Sequence, residues 1–304
     1  MEDLKSSFSN HVQDLQLQII DAMKELDPSL KIQKDEWSRF DRAGNPGGGG
    51  ITCALTGEVF ENAGVNTSIV HGEMDPEFGK KILRESNVDS GDSKEKKYHM
   101  WASGISLILH PFNPRVPTVH ANFRMIQVND KFWFGGGADL TPYYPNTDDF
   151  SYFHDVWKKA SGDDYPQWKK TCDEYFVNHH RSGEMRGVGG IFFDHYNSGN
   201  TKNDFNKVVN VSNHFIESYF PIAEKRIKET FTEEDVDFQL HRRGRYVEFN
   251  LLHDRGTTFG LKTNGRTDSI LISLPARCKF SYAYSPKKDS IHEKMMENYF
   301  PKTW

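Results

Sequence analysis

His120, Asn122 and Arg124 stand at every second position of Val119-His120-Ala121-Asn122-Phe123-Arg124-Met125. An imidazole can carry a proton, an amide can orient a polar group, and a guanidinium is a fixed cation that pairs with carboxylates. In one row they suit an anionic, polar ligand. Apolar Val119, Ala121, Phe123 and Met125 fill the positions between them. A period of two is the pattern of a strand with unlike faces, and it sets the three polar residues about 6.6 Å apart. A solvent-facing strand with ordinary polar side chains would show the same alternation, so the row alone leaves both readings open.

The preceding segment weighs toward a site. Ile105 to Leu109 is a short apolar run that reads as a buried strand. Pro111, Pro114 and Pro117 then remove backbone donors and fix φ, which excludes a sheet interior or a helix. The result is a stiff loop with His110 at its entrance and His120 at its exit. Rigid loops bearing polar groups are common places for function.

Other chemistry-bearing residues read less sharply. Gly47 to Gly50 could cradle phosphate, but no Lys-Ser/Thr follows them as in a P-loop, so a plain loop before a strand is expected. Arg242, Arg243 and Arg245 form a basic run, expected to be a solvated face or a subunit contact.

Stepping along the chain, Leu4, Phe8, Leu15, Ile19, Met23 and Leu26 recur near helical spacing, predicting an amphipathic helix over 3–26 that Asp27-Pro28 ends. Segments 51–60 and 66–71 read as a hairpin, and Asp89 to Lys97 as a charged surface loop or disorder. Strands are expected at 104–109, 118–128 and 131–135. Helical periodicity covers 149–181, with His180 able to face inward. Gly189 to Asp194 reads as a short strand. Asp204 is expected to cap a long helix that Pro221 kinks or splits. Tyr246 to Leu252, Thr258 to Lys262 and Ile270 to Leu274 read as strands, and Ile291 to Phe300 as a helix. Sequential strands with helices gathered between them predict α+β with a large, mostly antiparallel sheet. No linker or repeat divides residues 1–304, so one domain is expected.

Composition narrows the function classes. The 304 residues carry a formal net charge of −5, which argues against nucleic acid as a partner. An anionic ligand then needs locally placed arginine. Cys53, Cys172 and Cys278 are scattered and form no CxxC, as suits a reducing compartment. No apolar run reaches the roughly 18 residues of a membrane span. Met1-Glu2-Asp3-Leu4-Lys5 lacks an Arg-rich presequence, so a soluble, cytoplasmic, unprocessed chain with no transmembrane segment is expected.

The row at 120–124 belongs to a longer pattern. His110-Pro-x-Asn113-Pro-x-x-Pro117-x-x-His120-x-Asn122-x-Arg124 resembles the signature of the oxygen-dependent coproporphyrinogen III oxidase family. Trp133-Phe-Gly-Gly-Gly-Ala-Asp139-Leu-Thr-Pro142 resembles its WFGGGxDLTP block, and Arg186-Gly-Val-Gly-Gly190-Ile-Phe-Phe-Asp194 its RGxGGxFFD block. Arg242 to Leu251, Asp254 to Leu261 and Gly265-Arg266 resemble its C-terminal blocks. The likeness spans roughly residues 35 to 300. His195 stands where a second Asp is usual, Asn264 where Gly commonly precedes Gly-Arg, and Ala276 where a second Pro often follows Pro275.

The resemblance implies a single domain, a site in a cleft on the sheet, and a homodimer formed through the region at about 246–281. It implies oxidative decarboxylation of two propionates of coproporphyrinogen III to vinyls, giving protoporphyrinogen IX in haem biosynthesis. Molecular oxygen is the co-substrate, and no cofactor is required because the electron-rich pyrrole supplies electrons. Asp139 is then the expected base for a pyrrole N–H, since a carboxylate accepts several N–H groups and three glycines before it leave room for a ring. A turn-capping aspartate is the plain alternative. His120 is the expected proton donor, and Arg124 and Arg266 the expected carboxylate clamps. Ser106, Asn122, Phe123, Gly135, Gly136, Gly137, Asn264 and Gly265 are expected against the substrate. If a divalent metal takes part, His110, His120, His154 and His180 are its candidate ligands. The alternatives are a non-haem metal oxygenase, for which no two-His-one-carboxylate set is visible in sequence proximity, and a tetrapyrrole carrier.

Overall fold

The computed structural model of the chain describes residues 1–85, 97–262 and 265–304. Its strands are β1 Lys31–Phe40, β2 Pro46–Thr56, β3 Phe60–Met74, β4 Tyr98–Pro111, β5 Thr118–Val128, β6 Lys131–Thr141, β7 Val177–Asn178, β8 Glu184–Met185 and β9 Gly189–Tyr196. β7 and β8 pair with each other, and the rest form a seven-stranded sheet in the order β1-β2-β3-β4-β5-β6-β9. All its neighbours run antiparallel. Helices flank this sheet, so the α+β class read from the sequence holds.

Period-two patterning gives the sheet two unlike faces. Ile105, Leu107 and Leu109 of β4, Val119, Ala121, Phe123 and Met125 of β5, and Phe134, Ala138 and Leu140 of β6 all point into one apolar core. Helices α1 Glu2–Leu26, α3 Thr147–Ser161, α5 Thr201–Asn213 and α6 Phe215–Arg226 close that face; the short α2 Pro76–Glu85 precedes β4. In α1, Phe8, Val12, Leu15, Ile19 and Met23 are at most 1% exposed. Their spacing puts them on one stripe, and burying each contributes roughly 1.5–3 kcal/mol. Past the end of α1, Asp27 accepts hydrogen bonds from the Val59 and Phe60 amides and ties the helix to the β2–β3 turn.

The opposite, more polar face is covered in part by the C-terminal helices α7 Glu233–Leu252, α8 Arg255–Lys262 and α9 Thr267–Leu271. Asn66 donates to the Ser269 carbonyl, Asn62 to the Leu274 carbonyl, and Thr52 meets the Ser269 hydroxyl at 2.7 Å. α4 Tyr165–Tyr175 packs along β9, and α10 Ile291–Met296 lies near the chain end.

Several local expectations are corrected. The segments at 246–252, 258–262 and 270–274 are helical or, beyond Leu271, turn, rather than strands. Phe238, Arg242, Tyr246 and Phe249 share the buried face of α7. Because a charged residue occupies that stripe, its 3.6 period does not show in hydrophobicity. Arg242 and Arg243 are therefore no solvated run: they are 2% and 0% exposed and pair with Glu184 and Glu61. Gly47 to Gly50 lie in β2 rather than in a loop, where the Trp37 ring packs directly over Gly50.

The helical stretch expected over 149–181 breaks at a 3-10 turn, Gly162–Asp164, and ends at Tyr175. His180 lies beyond it in another 3-10 turn and is exposed. Asn200, not Asp204, caps α5, and the break between α5 and α6 falls at His214 while Pro221 sits inside α6. The terminal helix is shorter than expected, Ile291–Met296. Except for Lys97, the expected loop at Asp89 to Lys97 lies outside the described residues.

Candidate active site

Register brings the chemistry-bearing residues together. In β5 and β6, His120 pairs with Asp139, Asn122 with Gly137 and Arg124 with Gly135. On the other side Ser106 of β4 pairs with Asn122 and Gly104 with Arg124. These residues share the polar face. Ser106 is exposed there, and Arg124 is half-buried.

Asp139 is 1% exposed, yet both its oxygens are engaged. Arg186 donates Nε to Oδ2 at 2.8 Å and Nη2 to Oδ1 at 2.6 Å. His120 Nδ1 lies 2.9 Å from Oδ1. Burial pushes the Asp139 carboxyl up, but the Arg186 charge and the hydrogen bonds from His120 and Arg186 outweigh it and hold the group below its usual range. Arg186 is itself 2% exposed, donates Nη1 to Asn250 Oδ1 at 2.8 Å, and stacks against Phe176 at 4.1 Å, Tyr246 at 4.6 Å and Phe249 at 4.9 Å. Its own pKa is raised: desolvation opposes the shift and the Asp139 charge drives it.

This geometry constrains His120. Nδ1 faces a carboxylate, which only accepts, and Arg186 Nη2 at 3.1 Å, which only donates. Nη2 already donates one of its two hydrogens to Asp139 Oδ1, and the carboxylate is the nearer, charged partner of Nδ1, so the arrangement favours a hydrogen on Nδ1 donated to Asp139. Nε2 is then the bare nitrogen, and it has no hydrogen-bond partner among the described residues. The His120 side chain is 16% exposed. A neutral imidazole so oriented can accept a proton.

Arg124 donates to Asn122 Oδ1 at 2.8 Å and has no carboxylate partner among the described residues. It is a cation without a counter-charge, as an anion site needs. Arg266 lies elsewhere on the same face, at β1, where it pairs with Asp35 and is 34% exposed. A substrate carboxylate would have to compete with Asp35 for it. Gly265 sits in the α8–α9 turn, its amide donating to the Gly260 carbonyl. Asn264 lies outside the described residues.

Three expectations change. The Phe123 side chain points into the core against Trp157, at 1% exposure, because it is on the apolar side of β5. Gly136 faces the same core, where a Cβ would come 2.7 Å from the Phe123 ring. Gly137 is glycine because β9 approaches it closely: a Cβ would lie 2.4 Å from the Ile191 carbonyl oxygen. Gly135 and Gly137 share the polar face; Gly135 lies between Arg124 and Asp194, while β9 and the Phe192 ring crowd Gly137.

The conditional metal set is not assembled. His110 is fully buried, between Thr118 Oγ1 and the Ser273 carbonyl, and burial followed by the Arg243 charge drives its pKa down to about 3. His154 is held by Tyr165 and the Val188 carbonyl, and burial lowers it to about 3. His180 contacts His253 and Glu248 at the surface. Each has different partners from His120, and no group of three or more metal-ligating side chains occurs among the described residues.

Arg186, Asn250 and Phe176 carried no assigned role in the sequence. Arg186 opens the RGxGGxFFD block, and an arginine set among glycines and aromatics is the available signal. Asn250 was hidden by reading α7 as a strand.

With this geometry in place, comparison adds identity. Residues 7–304 match the family model described as coproporphyrinogen III oxidase. The human mitochondrial oxygen-dependent coproporphyrinogen-III oxidase is 41% identical over 306 residues, covering 97% of this chain and 66% of that protein. The rat protein of the same name is 41% identical over 315 residues, covering 100% of this chain and 69% of its own length. The chain thus spans about two thirds of the length of these relatives. From the near-complete match and the level of identity, the chain belongs to the coproporphyrinogen III oxidase family.

Proposed function

We propose that the chain carries out the reaction named by its family: oxygen-dependent oxidative decarboxylation of two propionates of coproporphyrinogen III to vinyl groups, with release of CO₂. The observation that carries this reading is the shared sheet face. Along it lie His120, backed by Asp139, then Asn122, then Arg124, a guanidinium with no carboxylate partner among the described residues.

Arg124 holds a propionate, with Asn122 fixing the guanidinium and Ser106 open to the same ligand. Bidentate pairing to a carboxylate is worth about 1.5–3 kcal/mol. Arg266 takes a second carboxylate by exchanging it for Asp35. His120, expected from the sequence as a proton donor, is proposed instead to accept the pyrrole N–H proton at Nε2, which makes the ring more electron-rich. The base expected at Asp139 thus becomes a unit of two residues, because the buried carboxylate reaches the cleft only through the imidazole. Each propionate then loses a hydride equivalent from the carbon beside the ring and CO₂ from its carboxylate, leaving the vinyl; the hydride's two electrons and hydrogen, with one further proton, reduce molecular oxygen to hydrogen peroxide. No cofactor is needed for that balance.

The protein is proposed to work as a homodimer through the region at about 246–281. In and next to it Leu251, Leu252 and Phe280 are 49%, 63% and 59% exposed, apolar surface of the kind partners cover. The cytoplasm is the proposed compartment. Cys53, Cys172 and Cys278 are free thiols, which suits reducing surroundings, although the relatives are named as mitochondrial. No helix among the described residues is long and apolar enough to cross a membrane.

The reading is tested by incubating the purified chain with coproporphyrinogen III in air and weighing the product by mass spectrometry. Loss of two carboxyl groups per ring supports it. Recovery of bound but unaltered tetrapyrrole would favour a carrier.

A further inference from the structure

We infer that Arg186 is a positioning residue that fixes the tautomer of His120 through Asp139. The inference rests on the proton-accepting role proposed for His120. It assigns a function to a buried cation that touches no open surface.

Three groups, Arg186, Asp139 and His120, share one set of hydrogens. Arg186 engages both oxygens of Asp139, at 2.8 and 2.6 Å, and so holds the carboxylate ionised and immobile. An ionised carboxylate offers His120 only lone pairs, at 2.9 Å from Nδ1. Arg186 Nη2 also lies 3.1 Å from Nδ1, but the closer, ionic contact to Asp139 assigns the hydrogen to Nδ1, which leaves Nε2 of the neutral ring bare. Were Asp139 neutral, its O–H could donate to Nδ1, and the hydrogen would move to Nε2. His120 would then present a donor where the reaction needs an acceptor.

The neighbours leave Arg186 as the cation in control. Packed against the group are Cys172 from α4, Tyr246 and Asn250 from α7, and Asp254 just beyond it. The Cys172 thiol and the Tyr246 hydroxyl are pushed up by burial and stay neutral. Asp254 is occupied by Tyr175 and Thr257. Phe176, Tyr246 and Phe249 wall the guanidinium on three sides, so it keeps one pose.

The test reads the tautomer directly. Ring ¹⁵N shifts of histidine-labelled protein, with His120 identified by its absence in His120→Gln, distinguish a protonated nitrogen from a bare one. The wild-type protein should show Nδ1–H and bare Nε2 at neutral pH. Arg186→Gln should lose that signature, and kcat should fall by about 10²–10⁴, as for loss of a general base, with KM changed much less. Arg186→Lys keeps the charge, so it should retain the signature and recover part of kcat.

Because Arg186→Gln leaves a buried carboxylate unpaired, the wild-type and Arg186→Lys spectra decide the matter if that variant does not fold. An Nε2–H tautomer in the wild type, or a lost signature in folded Arg186→Lys, overturns the inference. So does a folded Arg186→Gln that is slow yet keeps Nδ1–H. A wild-type protein that shows Nδ1–H but never converts coproporphyrinogen III would sink the proposed reaction and leave the tautomer assignment standing.

Discussion

A carboxylate held between a guanidinium and an imidazole has little freedom of state, and that decides what Asp139 can do. It was legible in the sequence as an acid beside three glycines. Its burial was not, because Arg186 lies 47 positions away and no local pattern links them. Asp139→Asn should lower kcat by about 10²–10⁴ while substrate affinity changes modestly, since shape and Arg124 remain. Steady-state kinetics check this; weak binding with normal kcat would make Asp139 a substrate contact. Arg124→Ala should raise KM strongly in a folded protein, because Asn122 is its one side-chain hydrogen-bond partner among the described residues. Unchanged kinetics would remove it from the site. Phe123 lies inside the family-like motif, yet the alternation of β5 turns its side chain to the core.

Element by element, period-two segments were read well and mixed segments poorly. β4, β5 and β6 announce themselves because one face is purely apolar. α7 does not, since Arg242, Arg243 and Asn250 occupy its buried side. What the sequence does carry is its start. Thr232 caps α7 by accepting from the Asp235 amide, and Asp235 accepts from the Thr232 amide at 2.8 Å. This capping box fixes the register that brings Tyr246, Phe249 and Asn250 onto Arg186. Thr232→Ala should therefore cost about 0.5–2 kcal/mol in urea unfolding and leave kcat near its original value. An unchanged midpoint would mean that packing, rather than the cap, sets the helix start.

For the whole molecule, two buried histidines set a pH window. His110 and His154 are held to about 3 by burial, against about 6.5 in an unfolded chain. Between those values the unfolded state binds protons that the folded state does not. Stability is therefore full above about 6.5 and lost as pH falls, at up to about 1.4 kcal/mol per pH unit for each histidine. Unfolding free energies at pH 7, 6 and 5 should show this slope, and His154→Gln should flatten it. A pH-independent midpoint would show that these rings are charged or exposed. Assembly is the other property at this scale. Sedimentation at micromolar concentration should give a dimer that Leu252→Glu dissociates; a fully active monomer would contradict the proposed interface.

The account turns on a substrate that supplies its own electrons and a protein that supplies only charge, shape and a proton acceptor. Simultaneous recording of oxygen uptake and CO₂ release from coproporphyrinogen III, by protein exhaustively treated with chelator, tests this most directly. The predicted result is continued turnover after chelation, two CO₂ per ring, and arrest when oxygen is removed. Turnover that stops on chelation and returns with one particular metal, or that continues without oxygen, would contradict it.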